Sequence, residues 1–412
     1  MRILYNISIH VYKILITAAS SLNPKAKLWL DGRRNIFEKL ASSISSLRSP
    51  GSTLIWFHCA SLGEFEQGRP LIERYKAQQP GVKILLTFFS PSGYEIRKDY
   101  KGADLVCYLP ADTPSNAKRF IEIVKPSAVF FVKYEFWFNY LAELKKRDVP
   151  TYLISGIFRE EQHFFKFYGS WFRRQFSSFT HFFLQDGRSE ELLHSIGYKN
   201  TTVTGDTRFD RVSEIAKNVR PFPLIEKFRG GQDVLIAGST WKEDEELIAG
   251  AKPEHVKLII ASHEIDEKHI EAICELFSKY PVIRYSHATE STVAQAQVLV
   301  IDNIGMLSSL YQYGTFAFIG GGFGKGIHNI LEAATFGLPV VFGPNYERFK
   351  EAVDLVKTGG AFAVSDNAEF QNVIALLSDK QVLKTASHIS KHYVESRTGA
   401  TEKIMAAVKI RS

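Results

Sequence analysis

The run FAFIGGGFGKGIHNILEAATFGLPVVFGP, residues 316–344, reads as strand, glycine-rich turn, helix and strand. FAFIGG (316–321) and LPVVFG (338–343) are short apolar runs bounded by glycine and proline, and a helical stretch between them makes a βαβ unit with parallel strands. Gly320, Gly321, Gly322, Gly324 and Gly326 crowd the turn. Such a turn at a helix start leaves backbone N–H groups free to face phosphate oxygens, and the helix dipole favours an anion there. Glu332, about one turn into that helix, has the reach for a ribose hydroxyl, with Asn329 just before it. The turn is neither a dinucleotide fingerprint after a first strand nor a P-loop, since no G-K-[ST] follows.

The same alternation continues outward. DVLIAGS (233–239), VKLIIAS (256–262), PVIRYS (281–286) and VLVID (298–302) precede the unit, and AFAVS (361–365) follows it. Residues 213–232 lose the periodicity, carry Pro221, Pro223, Gly230 and Gly231, and read as a linker. Before it lies a second series: TLIWFH (53–58), VKILLTFF (82–89), DLVCYL (104–109), AVFFV (128–132), TYLISG (151–156), HFFLQ (181–185) and TTVTG (201–205). The fold class is therefore α/β, with two Rossmann-like domains at 35–212 and 213–412 facing a cleft, where open sheets bind ligands at strand C-terminal ends. The last helix is free to return to the first domain.

The 412-residue length also favours two cores over one. Hydrophobic residues make up 45% and charged residues 23%, which excludes a disordered or fibrous chain. Cys59, Cys107 and Cys274 form no C-x-x-C pair, and the histidines no H-E-x-x-H, so neither a disulfide framework nor a metal site is expected. A net charge of +7 favours anionic partners, but no recognised motif supports nucleic acid.

Residues 1–34 stand apart. ILYNISIHVYKILITAASSL (3–22) carries a helical stripe of Ile3, Ile7, Val11, Ile14 and Ala18, interrupted by Asn6, His10 and Lys13, and Lys25, Lys27, Arg33 and Arg34 follow. That pattern suits a membrane-associating helix beside an anionic leaflet, spanning or interfacial, with a helix packed on the protein's own surface as the alternative.

Several strand ends carry chemistry. After 53–58 comes His58-Cys59-Ala60-Ser61-Leu62-Gly63-Glu64, which delivers a carboxylate to a sheet edge, as a catalytic group or as a helix cap. After 128–132, Lys133, Glu135 and Asn139 sit among aromatics, as a site or as an ion pair at a helix start. Ser239 and Thr240 end a strand before Trp241 and the acidic run Glu243, Asp244 and Glu245, and Ser262 and His263 end the next one; phosphate binding and capping both fit. Arg159, Lys166, Arg173 and Arg174, within FREEQHFFKFYGSWFRRQF (158–176), read as an anion-binding surface or as a solvated helix face.

These segments resemble the 3-deoxy-D-manno-octulosonic acid (Kdo) transferases of Gram-negative bacteria, which have the two-domain glycosyltransferase architecture called GT-B. The resemblance rests on W-F-H-x-A-S-x-G-E at 56–64, Y-L-P-x-D at 108–112, Glu135-Phe136-Trp137-Phe138-Asn139, G-D-T-R-F-D at 205–210, G-S-T-W-x-x-D-E at 238–245, and H-N-x-L-E with G-x-P-V-x-x-G-P at 328–344. It implies inverting transfer of Kdo from CMP-Kdo to a phosphorylated lipid A precursor, lipid IVA, in lipopolysaccharide assembly at the cytoplasmic face of the inner membrane, without a cofactor. It further implies that Glu64 is the general base and Glu135 a second catalytic group. Ser239, Thr240, His263, Gly321, Gly322, Gly324, Asn329 and Glu332 hold the nucleotide, and Ser61, Gly63, Lys133, Arg159, Arg173 and Arg208 hold phosphate or acceptor. The family's R-H-P-E-R segment is replaced by Ala261-Ser262-His263-Glu264-Ile265-Asp266, which leaves His263 to substitute for an arginine. Another enzyme of this architecture, such as a UDP-sugar epimerase, and a silent sugar-phosphate or lipid-binding protein are the competing readings.

Overall fold

A computed structural model describes residues 1–48, 51–133 and 136–410. The chain forms two compact units, the first Met1–Arg211 plus the stretch from Thr398 onward, the second Val212–Arg397.

In the first unit β1 (Leu54–Cys59), β2 (Lys83–Phe88), β3 (Leu105–Tyr108), β4 (Ala128–Val132), β5 (Thr151–Gly156), β6 (His181–Leu184) and β7 (Thr201–Val203) form one sheet. Its order is β3-β2-β1-β4-β5-β6-β7, and every pair is parallel. All positions of β1, β4 and β5 are buried. Apolar side chains leave on both faces, Trp56, Phe131 and Leu153 into one core and Phe57, Phe130 and Tyr152 into the other. This is why the strands read as unbroken apolar runs rather than as alternation.

The second unit has β8 (Val234–Thr240), β9 (Lys257–Ser262), β10 (Val282–Arg284), β11 (Val298–Val300), β12 (Phe316–Ile319), β13 (Val340–Phe342) and β14 (Ala361–Ala363). Their order is β10-β11-β9-β8-β12-β13-β14, again parallel. The strand order reverses at β1/β4 in one sheet and at β8/β12 in the other. Ligands of open α/β sheets bind beyond the strand ends at such reversals.

Two expectations change. Residues 213–232 are not a plain linker: they hold the end of helix Thr207–Lys217 and all of helix Pro223–Arg229. Pro223 starts the latter, where its missing N–H costs nothing, Ile225 and Phe228 bury its apolar face, and Gly230 at φ +57° ends it. The glycine-rich turn, in contrast, feeds only a single helical turn, Leu331–Ala334. Gly321 at φ +91° and Gly326 at φ +130° hold Gly320–Ile330 out of helical geometry, so an extended helix dipole aimed at an anion is not available.

At the N-terminus, helix Arg2–Ala19 packs on the first unit through Tyr5 and Asn6: the Tyr5 hydroxyl donates to Asp112 Oδ2 (2.6 Å), and Asn139 Nδ2 donates to Asn6 Oδ1 (2.9 Å). The Tyr12 ring stacks on Phe89. The opposite side is apolar and open, with Ile3 75% and Ile14 67% exposed. No helix among the described residues is long and apolar enough to cross a membrane.

Candidate active site

At the β1/β4 reversal, Ser61 precedes helix Leu62–Gln78, and Glu64 is the third residue of that helix. Glu64 Oε2 accepts from the Ser61 N–H and from Ser61 Oγ, both at 2.6 Å. This is a capping box, so the carboxylate and the serine hydroxyl are held rigidly together at the helix mouth. Gly63 is open, with only Ser61 Oγ within 4 Å of where a Cβ would stand, at 3.9 Å.

One turn along the helix, Gln67 Nε2 donates to both oxygens of Asp206 (3.2 and 3.3 Å), whose Oδ2 also pairs with Arg208 Nε (2.8 Å). Thr207 Oγ1 bonds to the Gln67 carbonyl and lies 2.9 Å from Ser155 Oγ. The Glu64 helix, the end of β5 and the start of helix Thr207–Lys217 are thereby tied into one polar cluster, and Gln67 Oε1 is buried with no partner among the described residues. Lys133 and Ser155, at the ends of β4 and β5, are held at φ +65° and +49°. Non-glycine residues in that region persist only where surrounding contacts impose them, which is common at functional edges. Glu135 lies outside the described residues. Arg159 is exposed, whereas Arg173 spends its guanidinium on the Phe164 and Lys166 carbonyls (3.0 Å each) and so braces the aromatic loop.

Other motif residues are architectural. His58 is fully buried; Trp137 Nε1 donates to its Nε2 (2.9 Å), so Nδ1 carries the proton and faces Thr87 Oγ1 (2.9 Å). Burial pushes its pKa down to about 3. The charged form is disfavoured in the fold, so the stabilisation is complete above the unfolded value near 6.5 and is lost as pH falls toward about 3. NMR of the His58 ring is expected to show no titration between about pH 8 and pH 5; a midpoint in that window would contradict the network. Asp112, also buried, accepts the Tyr5 hydroxyl and the Asn139 and Tyr140 N–H groups, and desolvation raises it to about 6.

At the β8/β12 reversal, Ser239 sits at φ +53° in a register shift of β8. Thr240 is buried with its hydroxyl donating to Glu245 (2.9 Å), so it braces its own helix. The rings of Trp241, His263 and His328 stack in sequence, with centroids 4.7 and 4.4 Å apart, and Trp241 Nε1 donates to His328 Nε2 (3.1 Å). Desolvation, with His263 alongside, lowers His328 to about 4. His263 is the exposed member. Asp244 was legible only as part of an acidic helix start; its Oδ2 accepts the Trp241 and Gly321 N–H groups (2.9 Å each), joining the two strand ends. Burial lifts its pKa to about 6.

Within the glycine turn, Gly324 N–H bonds to the Gly321 carbonyl (3.1 Å). Asn345, which no motif singles out, donates from its backbone N–H to the Gly322 carbonyl and from Nδ2 to the Gly324 carbonyl (2.9 Å each). Asn329 caps the short helix through the Leu331 N–H (3.2 Å) and holds Glu332 Oε1 (3.1 Å). The arrangement orders a polar, glycine-lined edge beside an aromatic-imidazole stack. Glu264, Asp266 and His269 also bring ligand atoms within 4.8 Å of one another, but His269 Nε2 is already taken by Glu245.

Comparison with known proteins shows what this chain is similar to. Residues 34–211 match the family model described as 3-deoxy-D-manno-octulosonic-acid transferase (kdotransferase). A 3-deoxy-D-manno-octulosonic acid transferase of Chlamydophila psittaci is 28% identical over 80% of this chain and 78% of its own length. One from Aquifex aeolicus is also 28% identical, over 80% of this chain and 88% of its own. The solved UDP-GlcNAc 2-epimerase of Neisseria meningitidis shares the fold, with a TM-score of 0.60 at 14% identity over 86% of this chain and 98% of that one. The relatives it matches are glycosyltransferases, a class that the fold alone, shared with an epimerase, does not fix. Over 34–211 the chain matches the Kdo transferase family, and it is similar to proteins of that name over most of its length.

Proposed function

We propose that this protein catalyses inverting transfer of Kdo from CMP-Kdo to a hydroxyl of a phosphorylated lipid A precursor, lipid IVA, at the cytoplasmic face of the inner membrane. The observation that carries the reading is the family match across 34–211, which spans the turn delivering Glu64 to the C-terminal end of β1. In the step, the acceptor oxygen bonds to the anomeric carbon of Kdo, its proton passes to Glu64, and the bond from that carbon to the CMP phosphate oxygen breaks with its electrons going to CMP. The Trp241–His263–His328 stack and the glycine turn are the surfaces for the nucleotide, with His263 toward its phosphate. Arg208, half-buried beside Asp206, and Lys133 are assigned to acceptor phosphate. The open apolar face of helix Arg2–Ala19 supports docking on a lipid surface, since its other face is already occupied by Tyr5, Asn6 and Tyr12.

The test is incubation of purified protein with CMP-Kdo and a tetra-acylated lipid A precursor, following CMP release and lipid mass. A gain of one or more Kdo units is expected. No mass gain, with CMP-Kdo bound, would point to a different acceptor.

A further inference from the structure

Where the N-terminal helix, the segment Trp29–Glu38 and the stretch after β3 meet lies a cavity of about 440 Å³ whose lining includes Lys13, Arg33, Arg34 and Arg119, against Glu38 alone among acids. Arg34 pairs with Asp31 (3.2 Å) and Arg119 with Glu38 (3.0 Å), while Arg33 is ordered without a carboxylate among the described residues. Arg33 donates from Nε, Nη1 and Nη2 to the carbonyls of Leu109, Trp29 and Phe89 (2.9, 2.9 and 2.8 Å), and its guanidinium lies over the rings of Trp29 and Tyr108 at 3.8 and 4.6 Å. Those carbonyls use three of the five N–H donors of the guanidinium and fix its plane. Among the described residues no carboxylate pairs with it, and desolvation pulls its pKa down to about 9. A cation held this way gains from an incoming anion. Glu38 shows what the site prefers: its carboxylate takes its own backbone N–H and the Arg119 guanidinium (3.0 Å), which hold it below the usual carboxylate range.

Position supplies the identity of the anion. Lys13 lies on the side of helix Arg2–Ala19 away from the open stripe of Ile3, Ile7, Val11 and Ile14. An interfacial helix sinks its apolar face about 5–10 Å into the boundary between headgroups and acyl chains, so its opposite side lies at the level of the lipid phosphates. We propose that this cavity binds the phosphate headgroup of an anionic bilayer lipid, separate from the transferase site. The proposal rests on the membrane-docking reading above and adds a defined lipid site to it.

The experiment is vesicle co-sedimentation of the full chain at fixed ionic strength, with phosphatidylcholine alone and with phosphatidylglycerol added. Phosphatidylglycerol is expected to tighten binding. Arg34→Gln and Arg119→Gln are each expected to cut that gain about fivefold, the usual contribution of a basic residue near an anionic surface. Ala111→Leu fills the cavity without changing charge and is expected to remove the gain as well, whereas Lys25→Gln and Lys27→Gln, outside the cavity, leave most of it. Equal losses from Lys25→Gln and Arg119→Gln, or a full gain in Ala111→Leu, would overturn the site in favour of diffuse charge. Thermal protection by inorganic phosphate without vesicles would overturn the lipid as the source. The Ile7→Asp, Ile14→Asp double variant is expected to abolish binding to both vesicles. Failure of the unaltered chain to bind either would remove the docking reading itself, while equal binding to both removes only the headgroup site.

Discussion

Glu64→Gln is expected to lower kcat for Kdo transfer by about two to four orders of magnitude, the span of a lost general base. Affinity for CMP-Kdo and the melting temperature should stay close to those of the parent. The capping box makes this substitution unusually clean. Glu64 Oε2 accepts the Ser61 N–H and hydroxyl, and the carbonyl oxygen of a glutamine can accept both; glutamine is itself a favoured residue at that helix position. What the amide cannot do is take a proton. A variant with full activity would leave Glu64 as a helix cap and nothing more. Loss of activity together with a fall in melting temperature would mean that the cap had moved. Ser61→Ala separates the two roles from the other side, since it removes the serine arm of the cap at a cost of about 1 kcal/mol and leaves the carboxylate.

Gly322→Ala should destabilise the second unit by about 3 kcal/mol, at the upper end of what overpacking costs. A Cβ at Gly322 would stand 2.5 Å from the Gly343 nitrogen and 2.7 Å from its Cα, and one at Gly343 would meet the Gly322 carbonyl carbon at 2.6 Å. Two backbones touch there, and neither can rotate away as a side chain can. The Asn345 N–H also holds the Gly322 carbonyl at 2.9 Å, so relief would break the contact that fixes the turn. Urea unfolding should show the second unit melting early with the first unchanged. Gly324→Ala is the control, because its nearest neighbour, the Gly321 carbonyl, lies 3.7 Å from a new Cβ. If the two alanines behaved alike, the turn would not be under the constraint described.

Much of the architecture is legible in the sequence because parallel strands buried on both faces appear as runs such as AVFFV, which matches β4 end to end. The helices within 207–229 were not, since Pro221, Pro223 and the paired glycines look like linker composition until Ile225 and Phe228 are seen to be buried. The single turn at Leu331–Ala334 was overread for the converse reason: apolar spacing in HNILEAA suggests a longer helix than the flanking glycines permit. The strand-end motifs were visible as residues but not as partnerships. Thr240 and Arg173 looked like ligand groups and prove to be bonded inward, while Gln67, Asp206, Asp244 and Asn345 gain their meaning only from neighbours distant in sequence. A buried polar group is identified by its partner, and composition does not carry that information.

The return of the chain to the first unit at Thr398 governs the order in which the protein can be built. Asp210 accepts the N–H groups of Gly399 (2.5 Å) and Thr401 (2.6 Å) and the Thr401 hydroxyl (2.6 Å), and Ile404 is fully enclosed in the core that holds Phe57 and Phe130. The first unit is thus encoded in two pieces with the whole second unit between them. During synthesis the second unit leaves the ribosome as one continuous stretch, while the first waits with an apolar slot open until its closing helix Ala400–Ala407 arrives. The part of the chain made first is the last to be finished, and damage at the C-terminal end should be felt in the first unit, at Asp210, Tyr152 and the Arg74 end of the helix that carries Glu64, rather than in the unit from which the final helix departs.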